Sequence, residues 1–156
     1  MEGLTEKIRI IVKKTGIAEP PVPIEKIAEL FSIKVIPYSS FSDNISGTIV
    51  EQKGFIVIGV NSNHAKVRQR FTIAHELGHF FAGHDLAEQI IDDVFDRPTD
   101  KEREANKYAA ELLMPKDFLK QDIGKKMDIP KLAKKYNVSE QAMSIRLLET
   151  GLINNL

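Results

Sequence analysis

Apolar residues recur along this chain in two rhythms. Leu4, Ile8, Ile11 and Val12 fall at helical spacing, with Thr5 available as an N-cap and Gly16 as a stop. Pro20, Pro21 and Pro23 then interrupt the chain. Pro23 suits the first turn of a second helix, whose apolar face is Ile24, Ile27, Ala28 and Phe31. The rhythm changes to that of strands at 33–37, 47–51 and 55–60. Gln52-Lys53-Gly54 reads as a tight turn, which makes the last two strands a hairpin, and the polar stretch 39–46 is a loop. The pattern predicts a small antiparallel sheet.

Helical spacing then returns. Asn61, Ser62 and Asn63 offer N-caps for a long helix over about 64–82, which Gly83 can end. Residues 85–97 are acidic and weakly patterned, a connection with room for a short helix. Pro98 and Thr99 open a helix over about 100–113, Pro115 closes it, and 117–127 forms another. In the tail, Ile129, Leu132, Ala133 and Tyr136 precede Asn137-Val138-Ser139, and Ala142, Ile145 and Leu148 precede Gly151. That is helix, tight turn, helix.

The long helix carries chemistry. Residues 71–84 read FTIAHELGHFFAGH and contain His75-Glu76-Leu77-Gly78-His79, an H-E-x-x-H pattern. Histidines four apart project from one face of a helix, about one turn apart. Their imidazoles can converge on one tetrahedral metal ion, while Glu76 beside them can take a proton from water there. The bland alternative is a surface helix with two solvated histidines. Ile73, Leu77, Phe80 and Phe81 on the opposite side argue against it, since they would bury the helix by its back.

Two histidines alone hold zinc poorly, and a catalytic site takes three protein ligands and a water. The chain has no cysteine, so the third ligand must be His, Asp or Glu. His64 lies about three turns before His75, too far to help. His84 follows where the helix is ending, and its ring would have to turn back. Glu102 and Glu104, in Glu102-Arg103-Glu104-Ala105-Asn106, are better placed. Glu102 and Asn106 share a face with Ala109 and Leu113, so Glu102 can bind metal while Asn106 hydrogen-bonds a ligand histidine. Ala105 and Ala109 are small enough for close helix packing. Thr99-x-x-Glu102 is also a capping box, in which Glu102 would only close the helix start. Glu102 is preferred and Glu104 stays open.

RFTIAHELGHFFAGH followed by EREANKYAAELLMP closely resembles the ImmA/IrrE-type metallopeptidases, bacterial and phage zinc enzymes that cleave helix-turn-helix repressor proteins. The order of elements matches over nearly the whole chain. The resemblance implies a zincin-like site with one zinc, His75 and His79 as ligands and Glu76 as base. The family's Glu-x-x-Ala pattern places the third ligand on Glu102. Tyr108 stands where the family usually has Phe, and no role carries over to His84, whose distance from the motif varies among relatives. The implied reaction is zinc-assisted hydrolysis of a peptide bond in a protein substrate, a transcriptional repressor of phage or mobile-element type. The developing oxyanion needs a partner besides the metal. Tyr108, His84 and Arg70 are candidates for that or for substrate contact, and an edge strand of the 47–60 hairpin can pair with extended substrate.

Charge adds a rival. Lys+Arg and Asp+Glu are both 22, so the whole chain gives no hint of nucleic acid. Residues 116–146, however, hold seven Lys and one Arg against three Asp and one Glu. A basic helix-turn-helix-like tail makes a DNA-binding or partner-binding regulator the alternative. Its second helix offers only Gln141, Ser144 and Arg146 as base readers, a thin face for DNA. A module keeping zinc only for structure is a third reading, disfavoured because structural sites usually close with four ligands.

The N-terminus has no uninterrupted apolar segment and carries Glu2 and Glu6, unlike a signal peptide. The longest apolar run, 55–60, is far too short for a bilayer. A cytoplasmic protein with no membrane partner is expected, and the lack of cysteine suits a reducing compartment. The expected fold is α+β: a zincin-like helical core with a small antiparallel sheet and a C-terminal helical segment. Residues 1–115 would form the metallopeptidase domain and 116–156 the appendage.

Overall fold

A computed structural model of the chain describes residues 2–86, 89–92 and 98–153. In order they form α1 (Glu2–Lys14), α2 (Ile24–Leu30), β1 (Ile33–Tyr38), β2 (Ile45–Gln52), β3 (Phe55–Asn61) and α3 (Lys66–Phe81). They continue with β4 (Gln89–Asp92), α4 (Asp100–Leu113), α5 (Lys116–Ile123), α6 (Ile129–Tyr136) and α7 (Glu140–Glu149). The α+β class and the helical C-terminal segment are as the patterning predicts. Two compact units result. One is 24–109; the other joins 1–23 to 110–156.

In the first unit the strand order is β1-β3-β2-β4. β2 and β3 are antiparallel, Gln52 opposite Phe55. Lys53 and Gly54 between them have φ of 52° and 80°, the positive pair that a type I′ hairpin turn requires. β4 is antiparallel to β2, but β1 runs parallel to β3, so the sheet is mixed and the antiparallel expectation is corrected. Alternation of apolar residues fixes which face a strand buries, not the direction of its neighbour. Direction is set by the loop after β1, which carries the chain across the width of β3. Asn61 Nδ2 holds that loop by donating to the carbonyls of Ser42 and Ile45, at 3.1 and 2.9 Å, and Asn63 Nδ2 donates to that of Ser39 at 2.7 Å.

This ordering also corrects the hairpin expectation. β2 and β3 are both interior strands, and the edges are β1 and β4, so neither hairpin strand is free to pair with substrate. β4 itself was unmarked in the sequence, because four residues are too few to show a period. The rest of that acidic stretch, 87–88 and 93–97, lies outside the described residues.

α3 packs on the sheet at very close range. A Cβ on Gly47 would lie 2.5 Å from Thr72 Cγ2. Ile73, Ala74 and Leu77 of the helix and Ile49, Ile58 and Val60 of the sheet are buried. The N-cap of α3 is Ala65, with no side-chain hydrogen bond. Asn61 and Asn63, expected as caps, are committed to the loop instead. Gln69 Nε2 reaches back instead to donate to the carbonyl of His64 at 2.7 Å, which ties the helix to the segment before it without capping it.

In the second unit, Ile8, Ile11 and Val12 of α1 are buried, as are Leu132, Tyr136, Met143 and Leu147 of α6 and α7. The α6–α7 turn is capped throughout: Asp128 accepts from the Lys131 amide, Asn137 is left-handed, and Ser139 accepts from the Ala142 amide. Arg146 does not face outward. It is ion-paired with Glu111, and its Nε donates to the Met114 carbonyl at 3.1 Å. Among the described residues, no helix is long and apolar enough to cross a membrane.

Candidate metal centre

Helical spacing and helix-on-helix packing together build the site. His75 and His79 sit one turn apart on the buried stretch of α3, and α4 brings Glu102 against both. Their Nε2 atoms are 3.1 Å apart. His75 Nε2 is 2.9 Å from Glu102 Oε2, and His79 Nε2 is 3.2 Å from Glu102 Oε1. Ligand bonds of about 2.0–2.1 Å at tetrahedral angles place donor atoms about 3.3 Å apart, close to this spacing. Among the described residues these three form the group whose donor atoms, within 4.8 Å of one another, can hold a metal ion.

Proton placement points the same way. His75 Nδ1 lies 2.7 Å from Asn106 Oδ1, and an amide oxygen only accepts, so Nδ1 carries a proton. A neutral His75 then turns its Nε2 lone pair toward a Glu102 oxygen. Two acceptors at 2.9 Å need a cation between them, either a proton or a metal ion. With protons in those gaps, hydrogen bonds from His75 and then His79 outweigh burial and hold the Glu102 carboxyl well below the usual carboxylate range. Glu76 is the reverse. It is fully buried, neither of its oxygens has a hydrogen-bond partner among the described residues, and burial and the nearby Glu102 charge push its carboxyl well up. Buried polar groups without partners are rare and costly. Two imidazoles, a carboxylate and a bare acid beside them fit a divalent ion of zinc's preferences with a water alongside.

The IrrE N-terminal-like domain family, a peptidase family, matches residues 28–148 of the chain. The chain belongs to this family. Membership bears out the resemblance drawn from the two sequence blocks, and the matched span contains every residue of the centre. No curated protein matches the chain. Among solved structures, a Mycobacterium tuberculosis transcriptional regulator is similar, with a TM-score of 0.70 at 17% identity, covering 95% of this chain. The chain spans 47% of that protein's length, and at this identity the likeness concerns the fold alone.

Around the centre the structure distributes the other expected residues unevenly. Thr99 Oγ1 accepts from the Glu102 amide at 3.2 Å, one half of a capping box, while the Glu102 carboxylate turns to the histidines instead of back to the helix start. Glu104 instead faces His84, at 3.7 Å. His84 turns back over the end of α3, its Nδ1 2.8 Å from His79 Nδ1. Tyr108 lies tilted beside Phe81 with centroids 6.5 Å apart, and burial and Glu104 raise the pKa of its hydroxyl. Arg70, on α3, has its charge disfavoured by burial and favoured by Glu25. His64 bonds to the Asp43 carbonyl, at 3.0 Å, apart from the centre.

Gly78 is the functional position that reading the motif passed over. A Cβ there would lie 2.5 Å from the Ala105 carbonyl oxygen and 3.0 Å from its Cα. Its absence lets α4 come close enough for Glu102 to reach both histidines. The small Ala105 and Ala109 were legible as signs of close packing; the glycine opposite them was the other half of the signal.

Proposed function

We propose that the chain is a zinc-dependent endopeptidase, with His75, His79 and Glu102 holding one zinc ion and Glu76 as general base. The observation that carries this reading is the convergence of three donor atoms beside a buried carboxyl with no protein partner. Zinc held there supplies Lewis acidity, bringing the pKa of a bound water toward neutrality and polarising the scissile carbonyl. Glu76 takes the proton of the attacking water and returns it to the leaving amine nitrogen as the C–N bond breaks. Asn106 keeps His75 in the tautomer that leaves Nε2 free for the ion. His84 is turned to His79 and Glu104, which leaves Tyr108 and Arg70 as the candidates for stabilising the oxyanion.

The substrate proposed is a helix-turn-helix transcriptional repressor of phage or mobile-element type, met in the cytoplasm. What supports it is family membership and the close match of both sequence blocks to repressor-cleaving relatives. The regulator reading through the tail loses support, since Arg146, the one cationic base reader, is buried against Glu111. Incubating the zinc-loaded protein with a helix-turn-helix repressor of phage or mobile-element type is the test. The wild type should cut it into two fragments, and Glu76→Gln should keep zinc while cutting about 100- to 10,000-fold more slowly. Cleavage by Glu76→Gln at the wild-type rate would refute the base assignment.

A further inference from the structure

We propose that His84 is a positioning residue which, with Glu104 behind it, fixes the tautomer and ring orientation of His79. This rests on the reading of His75, His79 and Glu102 as metal ligands. A histidine that binds metal through Nε2 carries its proton on Nδ1, and in a buried ring that proton needs an acceptor. For His75 the acceptor is Asn106 Oδ1. For the fully buried His79 it is His84 Nδ1, at 2.8 Å.

Accepting through Nδ1 assigns the proton of a neutral His84 to Nε2, the atom that faces Glu104 Oε2 at 3.7 Å. That separation is too long for a direct hydrogen bond and suits a bridging water or a small closure of the side chain. Proton positions therefore run in one direction: His84 receives from His79, and the N–H of His84 faces the Glu104 carboxylate. Exposure follows the same line, from a buried His79 through an 8% exposed His84 side chain to a half-exposed Glu104.

Local sequence makes the turn possible. Gly83 has φ +76°, and the His84 amide donates to the His79 carbonyl at 3.1 Å. The ring thus folds back over the last turn of α3. Glu104, two residues after Glu102, reaches His84 from α4. The two ligand histidines have different supports, a neutral amide for one and an imidazole backed by a carboxylate for the other.

Partners that orient ligand histidines contribute about 10- to 100-fold in metal affinity. The test is zinc affinity of the full chain by chelator competition, with the visible absorption of the cobalt-substituted protein. His84→Leu, His84→Asn and Glu104→Gln are compared with wild type. Asn offers Oδ1 near the place of His Nδ1 and so keeps the acceptor. His84→Leu should bind zinc about 10- to 100-fold more weakly and shift the cobalt bands, His84→Asn should recover most of both, and Glu104→Gln should lose less. Wild-type affinity in His84→Leu would overturn the proposal and leave the ligands standing. Equal losses in His84→Leu and His84→Asn, with lowered melting of the metal-free protein, would overturn it in favour of plain packing. A wild type that binds no zinc would remove the ligand reading, and this proposal with it.

Discussion

Two sets of buried charges are built in opposite ways. In the unit of 1–23 and 110–156, Asp122 accepts from Tyr136 at 2.8 Å, Lys135 at 2.7 Å and Lys125 at 3.4 Å. Glu111 is paired with Arg146 and also accepts from the Lys116 amide. In the unit of 24–109, Glu76 is just as buried, yet its oxygens have no hydrogen-bond partner among the described residues. Glu102 lies across two imidazoles rather than a lysine or arginine. One set is satisfied, as groups that hold a fold together are. The other is left without such partners, at the place where the proposed reaction needs a proton acceptor and free donor atoms for a metal ion.

The comparison breaks most visibly if both sets respond alike to mutation. Glu111→Ala leaves Arg146 buried without its counter-charge and should cost about 3–5 kcal/mol of unfolding free energy in urea. Glu76→Gln removes an acid that nothing compensates, so the metal-free protein should be no less stable than wild type. Comparable losses in the two would erase the distinction. Gly78→Ala comes next. Its methyl meets the α4 backbone, so a loss of about 1–3 kcal/mol is expected, together with weaker zinc binding as Glu102 is carried away. Unchanged melting and zinc affinity would show that the close approach of α3 and α4 is dispensable.

Asn106→Ala should leave the fold intact and weaken zinc about 10- to 100-fold; wild-type affinity would remove Asn106 from the site. The smallest effect concerns acid. Burial works to raise the Asp122 carboxyl, but hydrogen bonds from Lys135 and Tyr136 and the lysine charges outweigh it and hold it below its ordinary value of 3.8. A carboxyl depressed on folding contributes stability above that ordinary value and loses it as pH falls through the folded one. Stability should therefore drop below about pH 4 in wild type, and the drop should be shallower in Asp122→Asn. Identical acid profiles would mean the cluster does not favour the ionised form.

These opposite designs explain what was legible beforehand. His75, His79 and Glu76 could be read because one helical turn links them, and periodicity needs no knowledge of the partner. Glu102 and Asn106 could be read because they share a face four residues apart. Spacing preferred Glu102 over Glu104, resemblance agreed, and the structure brings Glu102 to both histidines. What was not legible depended on contacts between distant residues. The parallel β1–β3 pairing turns on Asn61 and Asn63 reaching back to Ser39, Ser42 and Ile45, so the expected helix caps became loop clasps. β4 was too short to show a period. The pairing of Arg146 with Glu111 joins residues far apart in sequence, and on the pattern alone Arg146 counted as an outward DNA reader.

The most direct test is the zinc content of purified wild-type protein beside Glu102→Ala and Glu104→Ala. One zinc per chain in wild type, retained in Glu104→Ala with somewhat lower affinity and lost in Glu102→Ala, is the predicted result. Equal zinc in wild type and Glu102→Ala, or none in wild type after zinc is supplied, would contradict the three-ligand centre.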